Sequence, residues 1–92
     1  MMAKELNIQK MKVELIEIYE GFIKNPNNPV IQREAYKMYA DYSTATDILL
    51  NEPISISINF LSEIIQYNTG IFDKEEIKQS AREILKELKK EK

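Results

Sequence analysis

The chain has 92 residues, a formal net charge of −2 and a hydrophobic fraction of 43%. A chain this short cannot divide its apolar residues between two cores, so we expect a single domain over residues 1–92. Histidine and cysteine are absent, which removes the usual zinc ligands, the commonest general base and any disulfide, so we expect no enzyme activity, no metal and no cofactor.

The first predicted helix covers residues 4–24 and has two apolar sets. One recurs at intervals of three and four residues, as on one helix face: Ile8, Met11, Leu15, Ile18 and Phe22. The second lies beside it: Val13, Ile16, Tyr19 and Ile23. Together they cover roughly 200° of the helix, about twice the arc that a surface helix needs. We therefore expect Val13, Ile16 and Ile23 to face a second subunit or a protein partner.

A turn and a second helix follow. Gly21 costs about 1 kcal/mol inside a helix, but the apolar spacing favours a first helix that continues through it. Asn28 and Pro29 are suited to the N-cap and first position of the next helix. Its apolar stripe comprises Ile31, Ala35, Met38, Tyr42, Ala45 and Leu49. Tyr36 falls off this stripe and is a fourth candidate interface residue.

Residues 54–60 allow two interpretations. Isoleucine alternates with polar residues from Ile54 to Ile58, and such period-two alternation is typical of a β-strand. The positions that also fit a helix are Ile54, Ile58, Leu61 and Ile65. Because a lone strand has nothing to pair with inside the monomer, we expect a helix over residues 54–67 and keep a strand over 54–60 as the alternative.

The last predicted helix begins after Asp73. Asp73 is suited to the N-cap, and Glu76 three residues later makes an Asp variant of the capping box. Before it, Gly70 can take the left-handed conformation that ends a helix, and Ile71 is expected to pack back on that helix. The apolar face comprises Ile77, Ala81, Ile84, Leu85 and Leu88. With short connections between neighbours, the sequence predicts an all-α fold, a small antiparallel (up-down-up-down) four-helix bundle.

Acidic residues of the first helix suggest one catalytic alternative. Glu14, Glu17 and Glu20 have the spacing of carboxylates that bind Mg²⁺, but such a site needs a second acidic pair on a facing helix. The candidates there are Glu34, Asp41 and Asp47. Their spacings of seven and six residues do not form a compact pair, so a solvated helix face is the favoured interpretation.

These features predict a non-enzymatic protein-protein interaction module that self-associates, most simply as a dimer, or binds a protein partner. The alternative is a small nucleic-acid-associated regulator using the lysines of the first and last helices, although the net negative charge disfavours nucleic-acid binding. No stretch approaches the ~18 apolar residues of a membrane span. We therefore expect a cytoplasmic protein without membrane contact.

Overall fold

The computed structural model describes residues 8–42 and 52–90, with side chains from residue 9 in the first range and from residue 54 in the second. Within these ranges the chain forms four helices and no strand: α1 (Ile8–Lys24), α2 (Pro29–Tyr42), α3 (Glu52–Ile65) and α4 (Lys74–Lys90). The predicted all-α class is confirmed. Residues 4–7 and 43–51, which hold the predicted start of the first helix and end of the second, lie outside the described ranges.

Helix α1 continues through Gly21, as its apolar spacing predicts. The last turn stays intact there, because the Asn25 N–H donates to the Gly21 carbonyl at 2.9 Å. A Cβ placed on Gly21 would lie 2.5 Å from Cδ1 of Ile31. The missing side chain therefore lets the start of α2 approach the end of α1.

Both predicted N-caps are confirmed. The carboxamide oxygen of Asn28 accepts the Val30 N–H at 2.9 Å at the start of α2. At the start of α4, Oδ1 of Asp73 accepts the N–H groups of Glu75 and Glu76 at 2.8 and 3.4 Å. Each cap satisfies a backbone donor that has no partner inside its own helix, so local sequence chemistry fixes both starts.

Helix α3 resolves the ambiguity of residues 54–60. The segment is helical, and its buried positions follow helical spacing: Ile54, Ser57, Ile58, Leu61 and Ile64. The helix ends at Ile65 and residues 66–69 form a turn, two residues sooner than predicted. The alternation with period two is incidental, because burial against three neighbouring helices selects every third or fourth residue.

The turn between α3 and α4 agrees with the prediction only in part. Gly70 has φ 83°, the left-handed conformation expected of it. The expectation for Ile71 is wrong, since this side chain is 67% exposed. The Ile71 N–H turns toward the hydroxyl of Thr69 at 3.3 Å, and its side chain remains in solvent.

The core forms where α1 and α3 meet, since each of these helices also packs against both α2 and α4. Phe22 and Tyr67 stack edge to face with ring centroids 5.2 Å apart. Tyr19 is fully buried and donates to the Ser57 carbonyl at 2.8 Å, while the Ser57 hydroxyl donates to Ile54. In the described ranges no helix is both long and apolar enough to span a membrane.

Candidate interaction surfaces

The second apolar set of α1 divides into three environments. Tyr19 is fully buried, and Ile16 and Ile23 are half-buried against the core. Val13 is 53% exposed. Much of the broad apolar arc is therefore used inside the bundle, because α1 is covered from several sides. Val13 and the exposed part of Ile16 remain as an outward apolar surface, which we call the α1 outer face.

Burial gives Tyr19 an unusual titration. Loss of solvent around its hydroxyl raises its pKa well above the ordinary value, and the nearby negative charge of Glu63 raises the pKa further. Its hydrogen bond to the Ser57 carbonyl requires the protonated form. The residue therefore joins α1 to α3 as a neutral donor, and it serves the core rather than an interface.

Tyr36 stands apart from the other tyrosines of α2. It is 63% exposed, whereas Tyr39 and Tyr42 are half-buried against the core. The spacing that places Tyr36 off the apolar stripe explains this difference. The structure leaves Tyr36 available to solvent on a different helix from Val13.

Carboxylates of α1 and α2 share a groove of about 370 Å³, which we call the α1–α2 groove. Its acidic residues are Glu14, Glu17, Glu34 and Asp41, and Lys37 lies among them. The structure thus brings together four of the six carboxylates singled out from the sequence, while Asp47 lies outside the described ranges. Among the described side chains, no three carboxylates are close enough to hold a metal ion. The groove is a charged surface with one lysine to offset it.

A larger groove of about 840 Å³, not predicted from the sequence, lies between α3 and α4. Its apolar residues are Ile56, Phe60 and Ile84, and its acidic residues are Glu63, Glu83 and Glu87. Ile56 is 49% exposed. We call this surface the α3–α4 groove. The available signal was that Ile56, Phe60 and Glu63 fall at intervals of four and three residues, a second helical stripe beside the core stripe.

Three lysines of α4 lie beside carboxylates. Lys89 binds Glu20 across the two helices with Nζ 2.8 Å from the carboxylate. Within α4, Lys78 lies 3.6 Å from Glu75 and Lys90 lies 3.6 Å from Glu87. Apart from Lys78, whose side chain is 25% exposed, the paired side chains are about half exposed or more, and such pairs stabilise the fold little. They nevertheless reduce the local positive field that phosphate binding needs.

Comparison with known proteins adds no assignment, because no protein family, no curated protein and no solved structure matches the chain.

Proposed function

We propose that the protein is a non-enzymatic interaction module that self-associates through the α1 outer face. The supporting observation is Val13, a β-branched apolar side chain that is 53% exposed in the middle of a helix and lies beside half-buried Ile16. Apolar surface of this kind is stabilised when a second subunit removes it from water. Ile23 belongs to the same apolar set of α1 but is half-buried against the core, and Tyr36 is a separate exposed residue on α2.

A symmetric dimer is the simplest form of this contact. In a two-fold contact each helix meets the same helix of its partner, and antiparallel packing centred on Val13 would place the exposed Val13 side chains of the two copies opposite one another. Mutual burial of these two side chains is what stabilises the proposed dimer.

The proposal includes an antiparallel, up-down-up-down arrangement of the bundle. Gln32, near the start of α2, donates to the Ile64 carbonyl near the end of α3 at 2.9 Å. Lys74, the first residue of α4, lies over the ring of Tyr67 just beyond α3, with its Nζ 5.2 Å from the ring centroid. The first contact supports α2 and α3 that run in opposite directions.

The ion pair between Lys89 and Glu20 joins the C-terminal parts of α1 and α4 and does not support opposite directions for those two helices. Nuclear Overhauser effects between Ile56 near the start of α3 and Glu87 near the end of α4 would test the direction of α3 and α4.

Light scattering measures the mass of the protein at about 100 μM and again after dilution, and it tests self-association directly. We expect the wild type to have the mass of a dimer and Val13→Glu to have a mass close to that of a monomer. The reason is that an unpaired carboxylate in an apolar contact carries a desolvation cost of several kcal/mol. The matched control is Val30→Glu, since Val30 is 49% exposed on a different helix. Val13 is a better test position than Ile16. Because Ile16 packs against the core, Ile16→Glu would also destabilise the monomer.

The outcomes are distinct. A monomeric wild type would contradict the proposal before any variant is made. A dimer that Val30→Glu dissociates and Val13→Glu does not would place the contact on α2. Circular dichroism must show unchanged helicity in both variants. Salt-dependent binding of DNA or RNA by a monomer would instead favour the nucleic-acid regulator.

A further inference from the structure

The α3–α4 groove has an apolar floor that the fold leaves unfilled. Phe60 and Ile84 are half-buried against the core, and Ile56 is 49% exposed beside them. All the lining residues come from α3 and α4, so the groove is a surface separate from the α1 outer face. A second apolar surface in a small helical protein is a candidate site for another helix.

The walls of the groove are predominantly acidic. Three glutamates line it against one lysine: Glu63 on α3, Glu83 and Glu87 on α4, and Lys86. Glu87 also lies 3.6 Å from Lys90, but both side chains of that pair are more than half exposed, so a competing cation can replace it readily. The charge around the apolar floor therefore favours a positively charged occupant.

The dimensions of the groove suit a short helix. The α3 wall covers eight residues, from Ile56 to Glu63, which is about two helical turns or roughly 10 Å at 1.5 Å per residue. A helix lying along such a wall would contribute apolar residues at positions i, i+3 or i+4, and i+7. Lysine or arginine at its edges would reach the glutamates on either side.

We infer that the α3–α4 groove binds a basic amphipathic helix of a partner protein, with Ile56, Phe60 and Ile84 receiving its apolar face and Glu63, Glu83 and Glu87 pairing with its cations. The inference adds a class of partner to the proposed function. It rests on that proposal in one respect, namely that the protein is a non-enzymatic interaction module. Self-association through Val13 is not required for it.

The experiment uses the full chain and a fluorescent synthetic peptide of about four helical turns with a leucine face and lysine edges. We expect anisotropy to show binding that weakens as salt is added, and a peptide with glutamate in place of lysine to show none. Methyl chemical shifts should change at Ile56 and Ile84 and remain unchanged at Val13 and Val30.

Matched variants distinguish binding in the α3–α4 groove from general attraction of the peptide to acidic surface. The double variant Glu63→Gln with Glu83→Gln removes one carboxylate from each wall and should weaken binding about tenfold at low salt. Its control, Glu17→Gln with Glu34→Gln, removes the same charge from the α1–α2 groove and should leave binding within about twofold. Ile56→Ser should weaken binding about fivefold, against no change for Val30→Ser, whose exposure is the same.

Three outcomes would overturn the inference. Equal losses for the two double variants would show attraction to acidic surface without a site, and absent binding of the lysine peptide would exclude this partner class. A fall in dimer mass caused by Glu63→Gln with Glu83→Gln would show that a second copy occupies the groove. Since Val13→Glu should leave peptide binding unchanged, failure of self-association and failure of the groove are separate results.

Discussion

Helices α1 and α4 have the same length, 17 residues each, and pack against one another, yet they are specified differently. The buried residues of α1 are Met11, Leu15, Ile18, Tyr19 and Phe22. Those of α4 are Ile77, Ala81 and Leu88. Helix α4 has one apolar stripe, a local cap and charged remaining faces and packs against α1 and α3, whereas α1 packs against all three other helices. Contacts across the chain therefore specify more of α1, and local signals specify more of α4.

Two fully buried leucines, Leu15 in α1 and Leu88 in α4, should give the greatest losses of stability when they are shortened to alanine. Leu15→Ala should lower the free energy of unfolding by about 3–4 kcal/mol, because a cavity in mid-helix between packed neighbours cannot collapse. Leu88→Ala should cost about 2 kcal/mol, since Leu88 lies in the last turn of α4, which can shift to fill the space. Urea denaturation measures both, and equal losses would remove the distinction between the helices.

The buried hydroxyl of Tyr19 tests the dependence of α1 on α3. Tyr19→Phe should lower stability by about 1 kcal/mol at neutral pH, because the hydrogen bond to the Ser57 carbonyl is lost. Because burial raises the pKa of Tyr19, the unfolded chain loses this proton at lower pH than the folded chain. The stabilisation is therefore full below the ordinary tyrosine pKa of about 10 and is lost as pH rises beyond it.

Alkaline denaturation read at 295 nm provides the measurement for that pH dependence. The difference in absorbance at 295 nm between wild type and Tyr19→Phe should correspond to one tyrosine. This tyrosine should ionise only as helicity is lost. Ionisation of this tyrosine with intact helicity would show that its hydroxyl is open to solvent. Stability that declines equally with pH in both proteins would assign the alkaline loss to other groups.

The N-cap of α4 tests the opposite case, a helix start fixed by local chemistry. Asp73→Ala should lower stability by about 1 kcal/mol, because Oδ1 accepts the N–H groups of Glu75 and Glu76. Asp73→Asn is the matched control, as asparagine caps nearly as well, and it should cost a few tenths at most. If both substitutions cost the same in urea melts, the charge near the helix dipole is responsible and not the acceptor.

The smallest effect is a coupling between Gly21 and Ile31. Gly21→Ala gains about 1 kcal/mol in helix propensity, but its Cβ would lie 2.5 Å from Cδ1 of Ile31. Ile31→Val removes that methyl group, so Gly21→Ala should be more favourable in the Ile31→Val background by about 0.5 kcal/mol or more. Additive effects in this double-mutant cycle would mean that the two helices do not approach closely at Gly21.

Sequence patterns were most informative where a signal is local. The caps at Asn28 and Asp73 and the left-handed conformation of Gly70 depend on atoms within a few residues, so each could be predicted. For residues 54–65, the helical spacing of apolar residues was a better predictor than their alternation with period two, since the segment is helical. Ile71 was predicted wrongly because spacing along the chain does not show whether a turn directs a side chain toward the core or toward solvent.

The helical class, the starts of α2 and α4 and the apolar stripe of each helix follow from the sequence alone, because hydrogen bonds and periodicity operate within one element. Tertiary packing selects which of the remaining apolar residues stay exposed. It buried Tyr19, half-buried Ile16 and left Val13 in solvent, and it joined Ile56 to Ile84 in one groove. Exposure depends on which helix lies opposite a residue, and that is a property of the whole packed chain.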